Sequence, residues 1–151
     1  MFKKLVKSIT SIFTNSTKQE IAPVTAHPQS EIKIKSDEQY SEELVDLLLE
    51  VLEKNQYFLN LYLFGSRARS DHKSNSDHDF MVVFDSKSPE SYQNGHLDNW
   101  KILHEIKSEL AEKGFTDHID IFTNLKHKFD AAKHQQGSLS YQCLDYGIQF
   151  K

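Results

Sequence analysis

The sequence predicts an α/β domain of the α+β kind, a mixed β-sheet flanked by helices. Three observations carry that prediction. The runs at 57–64, 78–85 and 117–123 are apolar, too short for helices of ordinary length, and rich in aromatic and β-branched residues, as buried strands are. The segments around them repeat apolar residues every three to four positions, the period of a helix. The two kinds alternate as α-β-α-β-α-β-α-α, an order in which helices must cover the faces of a sheet.

Taken in order, residues 1–15 form a basic amphipathic segment. Phe2, Leu5, Val6, Ile9, Ile12 and Phe13 recur at helical spacing with Lys3, Lys4 and Lys7 between them. Residues 16–36 are polar, contain Pro23 and Pro28, and read as a linker. The domain proper spans 37–151. Ser36 and Gln39 fit a capping box opening a helix that runs to about Lys54, with Leu44, Val45, Leu48, Leu49 and Leu52 on its apolar face. The strand at 57–64 leads into a short helix over 66–70, a loop at 71–76 and the strand at 78–85. Trp100, Leu103, Ile106 and Leu110 mark a third helix that stops at Gly114, a residue suited to a left-handed C-terminal turn. After the strand at 117–123, helices are expected near 125–133 and 138–146. Tyr141, Leu144 and Ile148 line the apolar side of the latter and Gly147 ends it.

Composition bounds the function. The 151 residues leave room for one core, and ten Phe within a 38% hydrophobic content suffice to build it. Mean hydropathy is −0.60, and no apolar run approaches the ~20 residues that span a bilayer. The single Cys143 rules out an internal disulfide and a cysteine-based zinc site, which points to a reducing compartment, the cytoplasm. Residues 1–18 carry four Lys and no acid, whereas residues 41–151 carry 12 Lys and Arg against 18 Asp and Glu, a net −6. An acidic body argues against binding a nucleic-acid backbone. The basic arm, residues 1–15, suits weak contact with a membrane surface or with a partner.

The chemistry concentrates in Leu61-Tyr-Leu-Phe-Gly-Ser-Arg-Ala-Arg-Ser70 and the Asp77-His78-Asp79 that follows. Gly65 after a strand lets the backbone turn sharply and lets a phosphate approach. Ser66 adds a hydroxyl, and a helix starting there turns its free amides toward an anion. Asp77 and Asp79, two apart at a strand start, put two carboxylates on one side, where they repel unless a hard cation such as Mg²⁺ or Mn²⁺ lies between them. Asp120 alternates with Ile119 and Ile121, so it projects from the face opposite to theirs. Arg67, Arg69 and Lys73 are cations near the same corner, available to neutralise phosphate charge. His78 points with Phe80 toward the core, where its ring needs a hydrogen-bond partner.

A Gly-Ser pair, ten intervening residues, Asp-x-Asp on the next strand and a third Asp on a later one resemble the minimal nucleotidyltransferases of the DNA polymerase β-like superfamily. The Gly-Ser-Arg-Ala-Arg wording and the ending Leu-Asp-Tyr-Gly-Ile-Gln-Phe are similar to those of its bacterial stand-alone members. The likeness covers roughly 40–150. The family often has Gly where this chain has Ser70, and an aliphatic residue where it has His78.

The resemblance implies a polymerase β-like fold and a metal-dependent transfer of a nucleoside monophosphate, AMP from ATP, to a hydroxyl. It implies that Gly65 and Ser66 hold the β- and γ-phosphates, with Arg67, Arg69 or Lys73 assisting. Asp77, Asp79 and Asp120 are then the metal ligands for two Mg²⁺ ions, and Asp120 is placed to accept the hydroxyl proton. A protein acceptor, such as a helical toxin of a toxin–antitoxin pair, suits a domain with no second substrate-binding unit. The competing expectation is a non-catalytic, antitoxin-like module that keeps the shape only to bind a partner.

Overall fold

A computed structural model of the protein describes residues 38–116 and 118–151. The expected arm over 1–15, the linker over 16–36 and Ser36 lie outside the described residues.

The first helix, α1 (Glu42–Glu53), begins later than the sequence suggests. Its N-cap is Ser41, whose Oγ accepts from the Leu44 N–H at 3.2 Å. Glu42 and Glu43 then meet the positive end of the helix. Gln39 precedes the helix, and its side-chain amide donates to the Ala68 carbonyl at 3.0 Å. The chain continues through β1 (Phe58–Phe64), α2 (Gly65–Ala68), β2 (His78–Phe84), a 3₁₀ turn (Glu90–Tyr92) and α3 (Asn99–Glu112). It ends with β3 (Ile119–Leu125), α4 (Lys126–Ala132), α5 (Leu139–Asp145) and β4 (Ile148–Gln149). Gly114, at φ +95°, closes α3 in the left-handed turn expected of it.

The sheet is mixed, in the order β3-β2-β1-β4, with β1 antiparallel to both β2 and β4 and β2 parallel to β3. The short β4 had no counterpart in the sequence reading. Period-two alternation divides the core in two. Leu61, Leu63, Phe80, Val82, Phe84, Ile119 and Ile121 face α1 and α3. Tyr62, Phe64, Met81, Val83 and Phe122 face the other way, against Phe129 of α4 and Cys143 of α5.

Two helix faces differ from expectation. On α3 the buried positions are Asn99, Ile102, Ile106 and Leu110, and Trp100 is 62% exposed. On α5 Ser140 and Cys143 are buried and Leu144 is exposed. Among the described residues no helix is long and apolar enough to cross a membrane.

Candidate nucleotide and metal site

The end of β1 and the starts of β2 and β3 meet at one edge of the sheet. Gly65, at φ +72°, turns the chain from β1 directly into α2. A side chain there has no room: a Cβ would stand 2.2 Å from Asp79 Oδ2. The glycine therefore lets the α2 corner close onto that carboxylate. Ser66 follows, half-buried.

Asp79 and Asp120 are register partners on the parallel strands β2 and β3. They share the face carrying Met81 and Phe122, beyond the part covered by α4 and α5. Asp79 is half-buried and Asp120 exposed. Burial raises the Asp79 carboxyl above its ordinary value, the negative charges of Asp120 and then Asp77 push it further, and Arg69 opposes them. Asp79 thus feels the charge of both other acids.

Asp77 precedes β2 and is exposed. The His118 Nδ1–H donates to its Oδ1 at 3.0 Å. Among the described residues no three His, Cys, Asp or Glu side chains stand close enough together to hold a metal ion. The structure pairs Asp79 with Asp120 and leaves Asp77 engaged with His118. The donor chemistry nonetheless fits a hard divalent cation, because the carboxylates offer only oxygen and a cation would relieve the repulsion that Asp79 feels. Asp77 engages His118 through Oδ1 alone, so its second carboxylate oxygen can join Asp79 and Asp120.

The cations divide sharply. Arg67 is 2% exposed. Its Nε donates to the Ser76 carbonyl at 3.0 Å, and its Nη1 to the carbonyls of Glu38 at 3.1 Å and Gln39 at 3.4 Å. These bonds tie the approach to α1 and the loop before Asp77 to α2, an architectural task in place of the phosphate contact expected for it. Arg69 is exposed, with Nε donating to Asp71 Oδ2 and Nη1 to the Tyr146 hydroxyl, both at 3.0 Å. Lys73 is exposed in a turn where its backbone N–H donates to Ser76 Oγ at 2.9 Å.

His78 is fully buried and stacks on Phe80 at 6.1 Å. Its Nδ1 lies 3.4 Å from the His118 carbonyl, and its Nε2 has no partner among the described residues. Burial, with the nearby Arg67 charge, lowers it to about 4, so the ring is neutral. The sequence assigns neither His118 nor Tyr146 a role at the site. His118 immediately precedes β3, and Tyr146 comes from the C-terminal stretch Leu-Asp-Tyr-Gly-Ile-Gln-Phe.

The family described as "Polymerase beta, Nucleotidyltransferase" matches residues 46–145. The chain belongs to that nucleotidyltransferase family, and its mixed sheet flanked by helices is consistent with the polymerase β-like fold. Among solved structures it is similar to a suspected nucleotidyltransferase from Sulfolobus solfataricus, at 15% identity and a TM-score of 0.38, over 74% of this chain and 88% of that one. It is also similar to a toxin–antitoxin complex with AMP-PNP, at 19% identity and a TM-score of 0.42, over 73% and 72% of the two chains. A mutant of the toxin–antitoxin MntA-HpeT follows at 16% identity and a TM-score of 0.40, over 73% and 72%. No curated protein matches the sequence.

Proposed function

We propose that this nucleotidyltransferase moves AMP from ATP to a hydroxyl group, with a protein as the acceptor. The observation that carries the reading is the register pairing of Asp79 with Asp120 beside the Gly65 corner. It sets two carboxylates next to a backbone turn that only glycine fits.

In this reading Gly65 and Ser66 take the β- and γ-phosphates, and Arg69 and Lys73 offset their charge. Arg67, committed to main-chain carbonyls, holds the corner in shape. Asp79 and Asp120, joined by Asp77, would hold Mg²⁺ or Mn²⁺. When bound, the metal would supply charge neutralisation for the polyphosphate and a lowered pKa for the acceptor hydroxyl. Asp120, exposed at its strand start, is placed to receive that proton. The acceptor oxygen then bonds to the α-phosphorus as the bond to the bridging oxygen breaks, and pyrophosphate leaves with that electron pair. The exposed side of the carboxylates leaves the acceptor side open, which suits a hydroxyl on a protein surface.

The test is Mg²⁺-dependent transfer of labelled AMP to candidate acceptors, followed by intact mass. Asp79→Asn and Asp120→Asn should each lower transfer roughly a hundredfold or more while melting cooperatively. Undiminished transfer by either variant would refute the assignment.

One observation favours a second reading, a non-catalytic partner-binding module: Asp77 is engaged by His118. Calorimetry separates the two, since no binding heat with millimolar Mg·ATP supports the module.

A further inference from the structure

Arg69 follows α2 directly, and its backbone N–H donates to the Gly65 carbonyl at 3.2 Å, which fixes its start relative to the glycine corner. Its side chain then bridges to the far end of the chain. Besides the Asp71 contact, Nη1 donates to the Tyr146 hydroxyl at 3.0 Å, and the guanidinium carbon lies 5.2 Å from the centroid of the same ring. The Tyr146 hydroxyl donates to Gln142 Oε1 at 2.5 Å.

The direction of this relay is forced by the groups. Arginine has only donors, so the phenol oxygen must accept from it. The single phenol proton must go elsewhere, and Gln142, one turn back on α5, takes it. Gln142 therefore turns a Tyr146 lone pair toward Arg69.

We infer that Tyr146, oriented by Gln142, is a positioning residue that holds the Arg69 guanidinium beside the Gly65–Asp79 corner, where it meets the polyphosphate of an incoming nucleotide. The inference rests on the nucleotidyl-transfer reading above. Arg69 already acts electrostatically on Asp79. Its ion pair with Asp71 joins side chains 42% and 58% exposed, a weak contact that a phosphate can displace. Tyr146 differs from Asp71 in being neutral. It keeps the guanidinium in place without cancelling the charge that the phosphate needs. A long side chain held in its bound geometry loses less entropy when the ligand arrives.

The experiment uses the full-length protein with Mg·ATP, reading Kd by calorimetry and KM and kcat by AMP transfer. Tyr146→Phe keeps the ring and removes the bond. Tyr146→Phe and Gln142→Ala should each weaken binding and raise KM roughly three- to tenfold, with kcat within about twofold of the parent. Arg69→Ala should cost more. The double variant Arg69→Ala/Tyr146→Phe should bind no more weakly than Arg69→Ala alone, because Tyr146 acts through Arg69. A merely structural role for Tyr146 would instead add its cost to that of Arg69→Ala, and that outcome overturns the inference. Parental Kd and KM in Tyr146→Phe overturn the tether alone. A parent protein that binds no Mg·ATP at millimolar concentration overturns the nucleotide reading, and the tether with it.

Discussion

The Asp79 carboxylate fills the space that a side chain on Gly65 would need: a methyl group there would lie 2.2 Å from a carboxylate oxygen. The contact joins the turn after β1 to the start of β2, which run antiparallel with Phe64 opposite Asp79. Gly65→Ala must therefore displace the carboxylate and also strain a backbone at φ +72°. We expect a loss of about 1–3 kcal/mol in stability and weaker Mg·ATP binding. Urea unfolding and a nucleotide titration check this; parental values in both would show that the corner tolerates a side chain.

Arg67 is the structural arginine of the motif. Replacing it by Lys keeps the charge but loses the planar fork that reaches the carbonyls of Ser76, Glu38 and Gln39 at once. Arg67→Lys should cost about 2–4 kcal/mol in urea unfolding. A cost near zero would mean that these carbonyls find other donors.

Ser70 holds a left-handed backbone, φ +62°, a conformation that glycine adopts without strain. Ser70→Gly should relieve that strain and stabilise by roughly 0.5–1 kcal/mol, after the added freedom of the unfolded chain is subtracted. A thermal melt compares the two; a lower Tm for the glycine variant would contradict the strain.

His78 makes stability depend on acid. Its ring is neutral when buried, lowered from 6.5 to about 4, so between those values the unfolded chain binds the proton and the folded one does not. The contribution is whole above pH 6.5 and lost as pH falls toward 4, to a total of about 3 kcal/mol. His78→Leu should flatten that part of the profile. It should also be neutral or stabilising at pH 7, because it removes a buried Nε2 with no partner among the described residues. Parallel pH profiles for the two proteins would place His78 outside the acid transition.

The strands were legible because their alternation has a period of two and each apolar run is short. Helix faces were less so. On α3, Trp100 and Leu103 fit the helical period nearly as well as Asn99 and Ile102, since either pair combines with Ile106 and Leu110, although the two pairs stand about 100° apart around the helix. Asn99 settles the choice by donating to Thr123 Oγ1 at 2.9 Å and the Ser91 carbonyl at 3.2 Å, partners from other segments. The start of α1 shifted for a related reason: Ser36-x-x-Gln39 is the stronger local signal, but Gln39 bonds to Ala68 and Ser41 caps the helix.

The residues by themselves determined the strand-and-helix order as far as α5, the family and the candidate acids, because these rest on local periodicity and on motif spacing along the chain. Tertiary structure alone decided the partners: Arg67 went to main-chain carbonyls, Asp77 to His118, and Arg69 to a tyrosine separated from it by 77 positions. A cation's sequence neighbours do not reveal which of several oxygens it will reach. That depends on which strands and helices pack together, and here α5 returns across the sheet to set Tyr146 beside the residue that follows α2.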